Sequence, residues 1–119
     1  MNQRPTESKL REALQKRILV LDGAMGTMIQ SRKLSDAEFR GERFADHPHD
    51  IAGNNDLLTI TQPEIIKEMH LEYLNAGSDI IETNPFTSTR TSQADYHLEE
   101  VSYELNLTAA KTAREACDE

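Results

Sequence analysis

Arg17-Ile18-Leu19-Val20-Leu21-Asp22-Gly23 sets a short apolar run against an Asp-Gly stop. Such a run, with β-branched residues in it, reads as a strand buried on both faces, as in a parallel sheet. A buried helical turn is the alternative reading. A second run, Asp79-Ile80-Ile81-Glu82-Thr83-Asn84, lies downstream. Between the two, Ile65, Ile66, Met69, Tyr73 and Leu74 recur at three- and four-residue spacing, which predicts a helix with one apolar stripe. Thr61-Gln62-Pro63-Glu64 fits a capping box at its start, with Thr61 as N-cap and Pro63 in the first turn. Gly77 fits its C-terminal stop. Strand, helix and strand in that order predict an α/β fold with parallel pairing.

Residues 1–9 read as a disordered tail and residues 10–119 as one domain. Leu10 and Leu14 suggest a short first helix over residues 8–16. Gly23-Ala24-Met25-Gly26-Thr27 is a small-residue loop, after which Met28, Ile29 and Gln30 begin a short helix. Residues 31–55 show no sustained period. A loop of that length in a compact domain is usually functional or a lid, and Phe39 and Phe44 would pin it to a core. Residues 88–119 read as helix interrupted near His97. Ala94, Leu98, Val101, Leu105, Ala109 and Ala113 form one face; Ser102, Glu104, Lys111 and Arg114 form the other.

The chain has 119 residues, is 37% hydrophobic and carries a formal charge of −8. Its mean hydropathy is −0.65. A surface that acidic argues against nucleic acid or an anionic membrane as partner, because both are bound by basic patches. No apolar run approaches the ~18 residues of a membrane span. The polar start lacks the core of a secretory signal, so a cytoplasmic location is expected. The lone Cys117 excludes an internal disulfide framework and a multi-cysteine metal site within the chain.

In parallel α/β sheets, ligands bind beyond the carboxyl ends of strands. Both runs end in polar or small residues: Asp22, Gly23, Ala24, Met25 and Gly26 after the first, and Glu82, Thr83 and Asn84 in the second. The two glycines allow close backbone approach, and the loop amides could hold a carboxylate; a tight strand–helix turn is the plainer reading. Asp22 and Glu82 could together hold an amino group or steer a proton, or each could cap a backbone amide or pair with an Arg. Asn84 could bond a ligand or turn the chain. His47 and His49, flanking Pro48, read as metal ligands or, more simply, as a surface loop. His70 and His97 have no evident partner, and the acidic neighbours of Cys117 make it a poor nucleophile. No catalytic residue and no metal ligand is assigned from the residues alone.

Residues 18–30 resemble the opening strand and loop of the homocysteine-binding domain of the cobalamin-dependent methionine synthase family. Phe39-Arg40-Gly41-Glu42-Arg43-Phe44, Gly53-Asn54-Asn55-Asp56-Leu57-Leu58 and Ala76-Gly77-Ser78-Asp79-Ile80-Ile81-Glu82-Thr83-Asn84 are similar to the family's next three blocks, in order. The resemblance implies a partial (β/α)₈ TIM barrel, here its first two βα units. It implies a homocysteine site at Asp22, Gly23, Ala24, Met25, Gly26, Glu82, Thr83 and Asn84. In the family, zinc held by thiolates activates the homocysteine thiol, methylcobalamin donates the methyl group and a folate domain recharges it. The family's zinc cysteines have no counterpart here, and Cys117 matches none of them. Pro85 stands where the family has Thr, and His47 and His49 where it has Trp and Cys. The resemblance therefore implies an N-terminal portion that binds homocysteine, holds neither zinc nor cobalamin alone, is inactive alone, and depends on the remaining barrel, folate and cobalamin domains. Two strands cannot close a barrel, so Ile65, Ile66, Met69, Leu98, Val101 and Leu105 should lack packing and the chain should associate. A small acidic, non-enzymatic module that binds an amino acid or a protein partner is the alternative.

Overall fold

The structure, a computed structural model, describes residues 5–119. Helix α1 (Pro5–Lys16) starts three residues earlier than the spacing of Leu10 and Leu14 suggested. It buries no residue and is laced by Glu7–Arg11 and Glu12–Lys16 pairs one turn apart. The expected disorder of residues 1–4 lies outside the described residues.

The aperiodic stretch after the first loop holds two short helices, α2 (Gly26–Arg32) and α3 (Asp36–Arg40). A capping box is present, but at Ser35 and Glu38 rather than at Thr61 and Glu64: the Ser35 Oγ accepts from the Glu38 amide, and the Glu38 carboxylate accepts from the Ser35 amide at 2.7 Å. Thr61 instead ends helix α4 (Leu58–Thr61), and its hydroxyl donates to the Leu57 carbonyl. Helix α5 (Pro63–Asn75) follows with Gln62 as its N-cap and Pro63 at the first position. Its end matches the sequence. Gly77 has φ +109°, the Ser78 amide reaches the Tyr73 carbonyl and the Gly77 amide the Leu74 carbonyl, the two bonds of a Schellman stop.

The C-terminal third is broken where expected. Helix α6 (Arg90–Gln93) runs into a 3₁₀ turn over Ala94–Tyr96, and His97 adopts a left-handed φ of +56°. A further turn at Glu99–Val101 leads into α7 (Ser102–Asp118), which packs along α5.

The expected α/β fold, a partial (β/α)₈ TIM barrel, is not what the chain forms. It is 62% helical with 2% strand and no sheet among the described residues. The two runs meet in one isolated parallel bridge, Leu21 to Ile80. Its two rungs are Ile80 N to Val20 O at 3.2 Å and Asp22 N to Ile80 O at 3.0 Å. The next rung on either side is intercepted by a carboxylate. A ladder would send the Glu82 amide to the Asp22 carbonyl, but it goes to the Asp22 carboxylate at 3.0 Å. The Val20 amide likewise goes to the Asp79 carboxylate at 2.9 Å, which also takes both arms of the Arg17 guanidinium. The Arg17 pairing and the Val20 amide hold the Asp79 carboxyl down to about 2. Nor is the first run buried on both faces: Ile18 is 87% exposed and Val20 53%.

The core lies among the helices. One cluster joins Phe44, Ile51, Leu57, Leu98, Val101 and Leu105; the other joins Ile29, Phe39, Leu58, Ile66 and Met69. Ile66, Met69, Leu98, Val101 and Leu105 are thus buried, contrary to the expectation that they would lack packing. Phe39 and Phe44 pin the 31–55 stretch as expected. Ser102, placed on the solvent face by spacing, is buried with its hydroxyl on the Ser88 carbonyl. No described helix is long and apolar enough to cross a membrane.

Candidate functional site

The ends of the two runs open on one cavity of about 850 Å³, and all eight residues singled out from the sequence line it. Asp22, Gly23, Ala24, Met25 and Gly26 form one wall, and Glu82, Thr83 and Asn84 another. Their groups are not equally open. Asp22 uses Oδ2 on the Glu82 amide, leaving Oδ1 without a donor among the described residues. The Glu82 carboxylate and the Thr83 hydroxyl are exposed and make no hydrogen bond to them. Asn84 is buried, with its Nδ2 donating to the Asn55 carbonyl at 2.9 Å and the Thr59 hydroxyl at 3.2 Å, so its amide nitrogen holds the chain. The amides of Gly23, Ala24 and Met25 have no acceptor among the described residues. Gly23 leaves room for Tyr73: a Cβ there would sit 3.1 Å from the Tyr73 hydroxyl, which donates to the Ala24 carbonyl at 2.8 Å and would have to give by a few tenths of an ångström.

The residue that organises the far wall was not singled out by sequence. Asp56 is 5% exposed, and its carboxylate accepts from the Thr87 amide at 2.7 Å, the Thr87 hydroxyl, the Ser88 hydroxyl and the Phe86 amide. Four donors from three consecutive residues fix the segment that follows Asn84. Pro85 removes no bond from this clamp, because the donated amides come from Phe86 and Thr87. Asn54 and Gln93 add a buried amide pair, Nδ2 to Oε1 at 2.9 Å, that ties the same wall to α6. Asp56 sits in a Gly-Asn-Asn-Asp turn signature, and its partners lie thirty residues away, so spacing gave no sign of it. Tyr73 and His70 share one face of α5 at i and i+3. His70 is fully buried, neither ring nitrogen has a partner, and burial lowers its pKa against the opposing charge of Asp22.

A sequence model of homocysteine S-methyltransferases matches residues 19–119. The chain belongs to the homocysteine S-methyltransferase family. The match begins inside the first apolar run and takes in both walls of the cavity. The activity of homocysteine S-methyltransferases is methyl transfer to homocysteine. The thiolate-held zinc that the resemblance implied for such enzymes does not fit the donors here. Cys117 is exposed near the end of α7 and lines no part of the cavity, and no group of three His, Cys, Asp or Glu side chains among the described residues is placed to hold a metal ion.

Proposed function

We propose that this homocysteine S-methyltransferase chain binds the amino-acid end of homocysteine in the cavity, as the N-terminal portion of a cobalamin-dependent methionine synthase. The observation that carries the reading is the meeting of the 22–26 loop and residues 82–84 around one open cavity. The open Glu82 carboxylate and the Asp22 Oδ1 suit an ammonium group, and the unbonded amides of Gly23, Ala24 and Met25 suit a carboxylate. The two ends of an α-amino acid thus have complementary walls, with the side-chain thiol left to point outward.

A homocysteine thiol is mostly protonated at neutral pH, since a free thiol has a pKa near ~8.5. Nothing lining the cavity supplies a strong base or a thiolate-bound metal for it. Thiol activation by zinc, and methyl donation by methylcobalamin recharged from a folate domain, therefore belong to parts of the enzyme other than these residues. The chain by itself binds and does not turn over.

Calorimetry with L-homocysteine tests the reading. Saturable binding that weakens at least tenfold in Glu82→Gln is expected, together with no methionine formed from methylcobalamin. Undetectable binding by a folded chain, or turnover with stoichiometric zinc, would overturn it. Equal affinity for alanine and homocysteine would favour the alternative of a general amino-acid-binding module.

A further inference from the structure

Three histidines that the homocysteine reading does not use come together beside the cavity. His49 and His97, 48 positions apart in the chain, stack with ring centroids 3.6 Å apart and planes 16° from parallel. His47 packs edge-on against His49 at 5.6 Å, and its Nε2 lies 2.8 Å from the Tyr96 carbonyl, where it must donate because a carbonyl only accepts. These contacts join residues 47–49 to the turn at residues 94–97. Both joined segments run into the cavity wall: Tyr96 lines it directly, and Asn54 and Asn55 follow a few residues after His49.

We infer that the His47–His49–His97 cluster is a pH-sensitive latch, closed when the stacked imidazoles are neutral and released on mild acidification, which loosens the cavity wall formed by Asn54, Asn55 and Tyr96. The physical argument is the stack. Two neutral rings, or one neutral and one charged, sit well face to face at this spacing. Two imidazolium ions do not, because like charges at contact repel and neither ring can turn a hydrogen-bonding edge to the other. Partial desolvation, then the His97 and His47 imidazoles, already pull His49 below the ordinary histidine value.

The surrounding charges are mixed. Arg40 of α3 donates to the His47 and His49 carbonyls and is paired with Asp36. Asp46 and Asp50 flank the two histidines in sequence, and the Asp50 carboxylate caps the Ala52 amide. On the other side Asp95 lies within the turn, and Arg90, Glu99 and Glu100 share a hollow with His47 and His97. His49 is the group whose neutral form the closed latch favours. The closed state is therefore fully stable above the ordinary histidine pKa of ~6.5, loses ground as pH falls below it, and stops losing below the lowered value.

A histidine-resolved NMR titration of the whole chain from pH 8 to 5.5 tests the latch. In the native chain His49 should titrate below its ordinary value, and the amide signals of Asn54, Asn55 and Tyr96 should move with the same midpoint. His97→Asn keeps a residue type that accepts the left-handed backbone at position 97 and removes the stacked ring. In it the His49 midpoint should rise towards the ordinary value and the wall signals should cease to follow it. His49→Gln gives an independent version, read at the wall amides alone, should the first variant fold poorly. Independent titration of His49 and His97, or wall shifts that persist unchanged in the variants, would overturn the inference. No ligand is needed, so failure here leaves the homocysteine reading untouched.

Discussion

The α5–α7 core and the extended pair at residues 17–22 and 79–84 are built from equally apolar sequence, yet they end in opposite environments. Leu57, Ile66, Met69 and Leu105 are fully buried, whereas Ile18, Val20 and Leu21 are about half-exposed or more. A helix stripe finds cover from another helix at once, because α5 and α7 present apolar faces of similar length. An extended segment needs neighbours on both edges and both faces, and each run here has the other along a single bridge. Two carboxylates, Asp22 and Asp79, take the amides that would have lengthened it. An apolar run marks what should be buried, while a partner of matching geometry decides whether it is.

The largest test of that contrast is Leu105→Ala, which should lower stability by about 2–5 kcal/mol through the cavity it leaves. Ile18→Ala should change it by less than about 0.5 kcal/mol. Urea melts of both variants suffice, and similar costs would erase the distinction. Asp56→Ala should lower stability by about 1–3 kcal/mol, because the buried Ser88 hydroxyl and the part-buried Phe86 and Thr87 amides lose a charged acceptor. Hydrogen exchange at the Phe86 and Thr87 amides should accelerate with it, and unchanged exchange would show that the cavity wall does not hang on this carboxylate. His70→Leu should raise stability by about 1 kcal/mol, since an unpartnered buried imidazole gives way to an apolar side chain. The same variant should flatten the acid side of the stability curve. The folded His70 resists protonation, so below the ordinary pKa of ~6.5 the unfolded chain binds the extra proton and stability falls. The smallest effect belongs to the extended pair. The Asp79 pKa is lowered to about 2, so the Arg17–Asp79 contact is intact above the ordinary carboxylate range and disappears as pH falls through about 2. The Val20 amide shift should report that loss, and Asp79→Asn should lower the near-neutral melt slightly, by the small amount an exposed ion pair contributes.

Much of the local structure was legible in residue order. The Gly77 stop, the α5 stripe, the break at His97 and the pinning by Phe39 and Phe44 follow from short-range chemistry. The cap at Ser35 was equally local, yet the lack of period in residues 31–55 concealed it, because two helices of seven and five residues are too short to show one. The cavity wall made by residues 22–26 and 82–84 was legible because small and polar residues close both runs. Asp56 and the histidine cluster were not, since their partners are 30 to 50 positions away and no local spacing encodes them.

Residue order by itself determined where α5 stops, where the C-terminal helix breaks, which positions are apolar, and where polar groups gather at the ends of two extended runs. These rest on dihedral preference, capping and periodicity within a few residues. The tertiary structure alone decided that the runs stop at one bridge, that helices supply the core, and that Asp56, Tyr73 and His97 sit beside the cavity. Those outcomes turn on competition between distant donors for the same acceptors, and that competition is resolved only once the chain has packed.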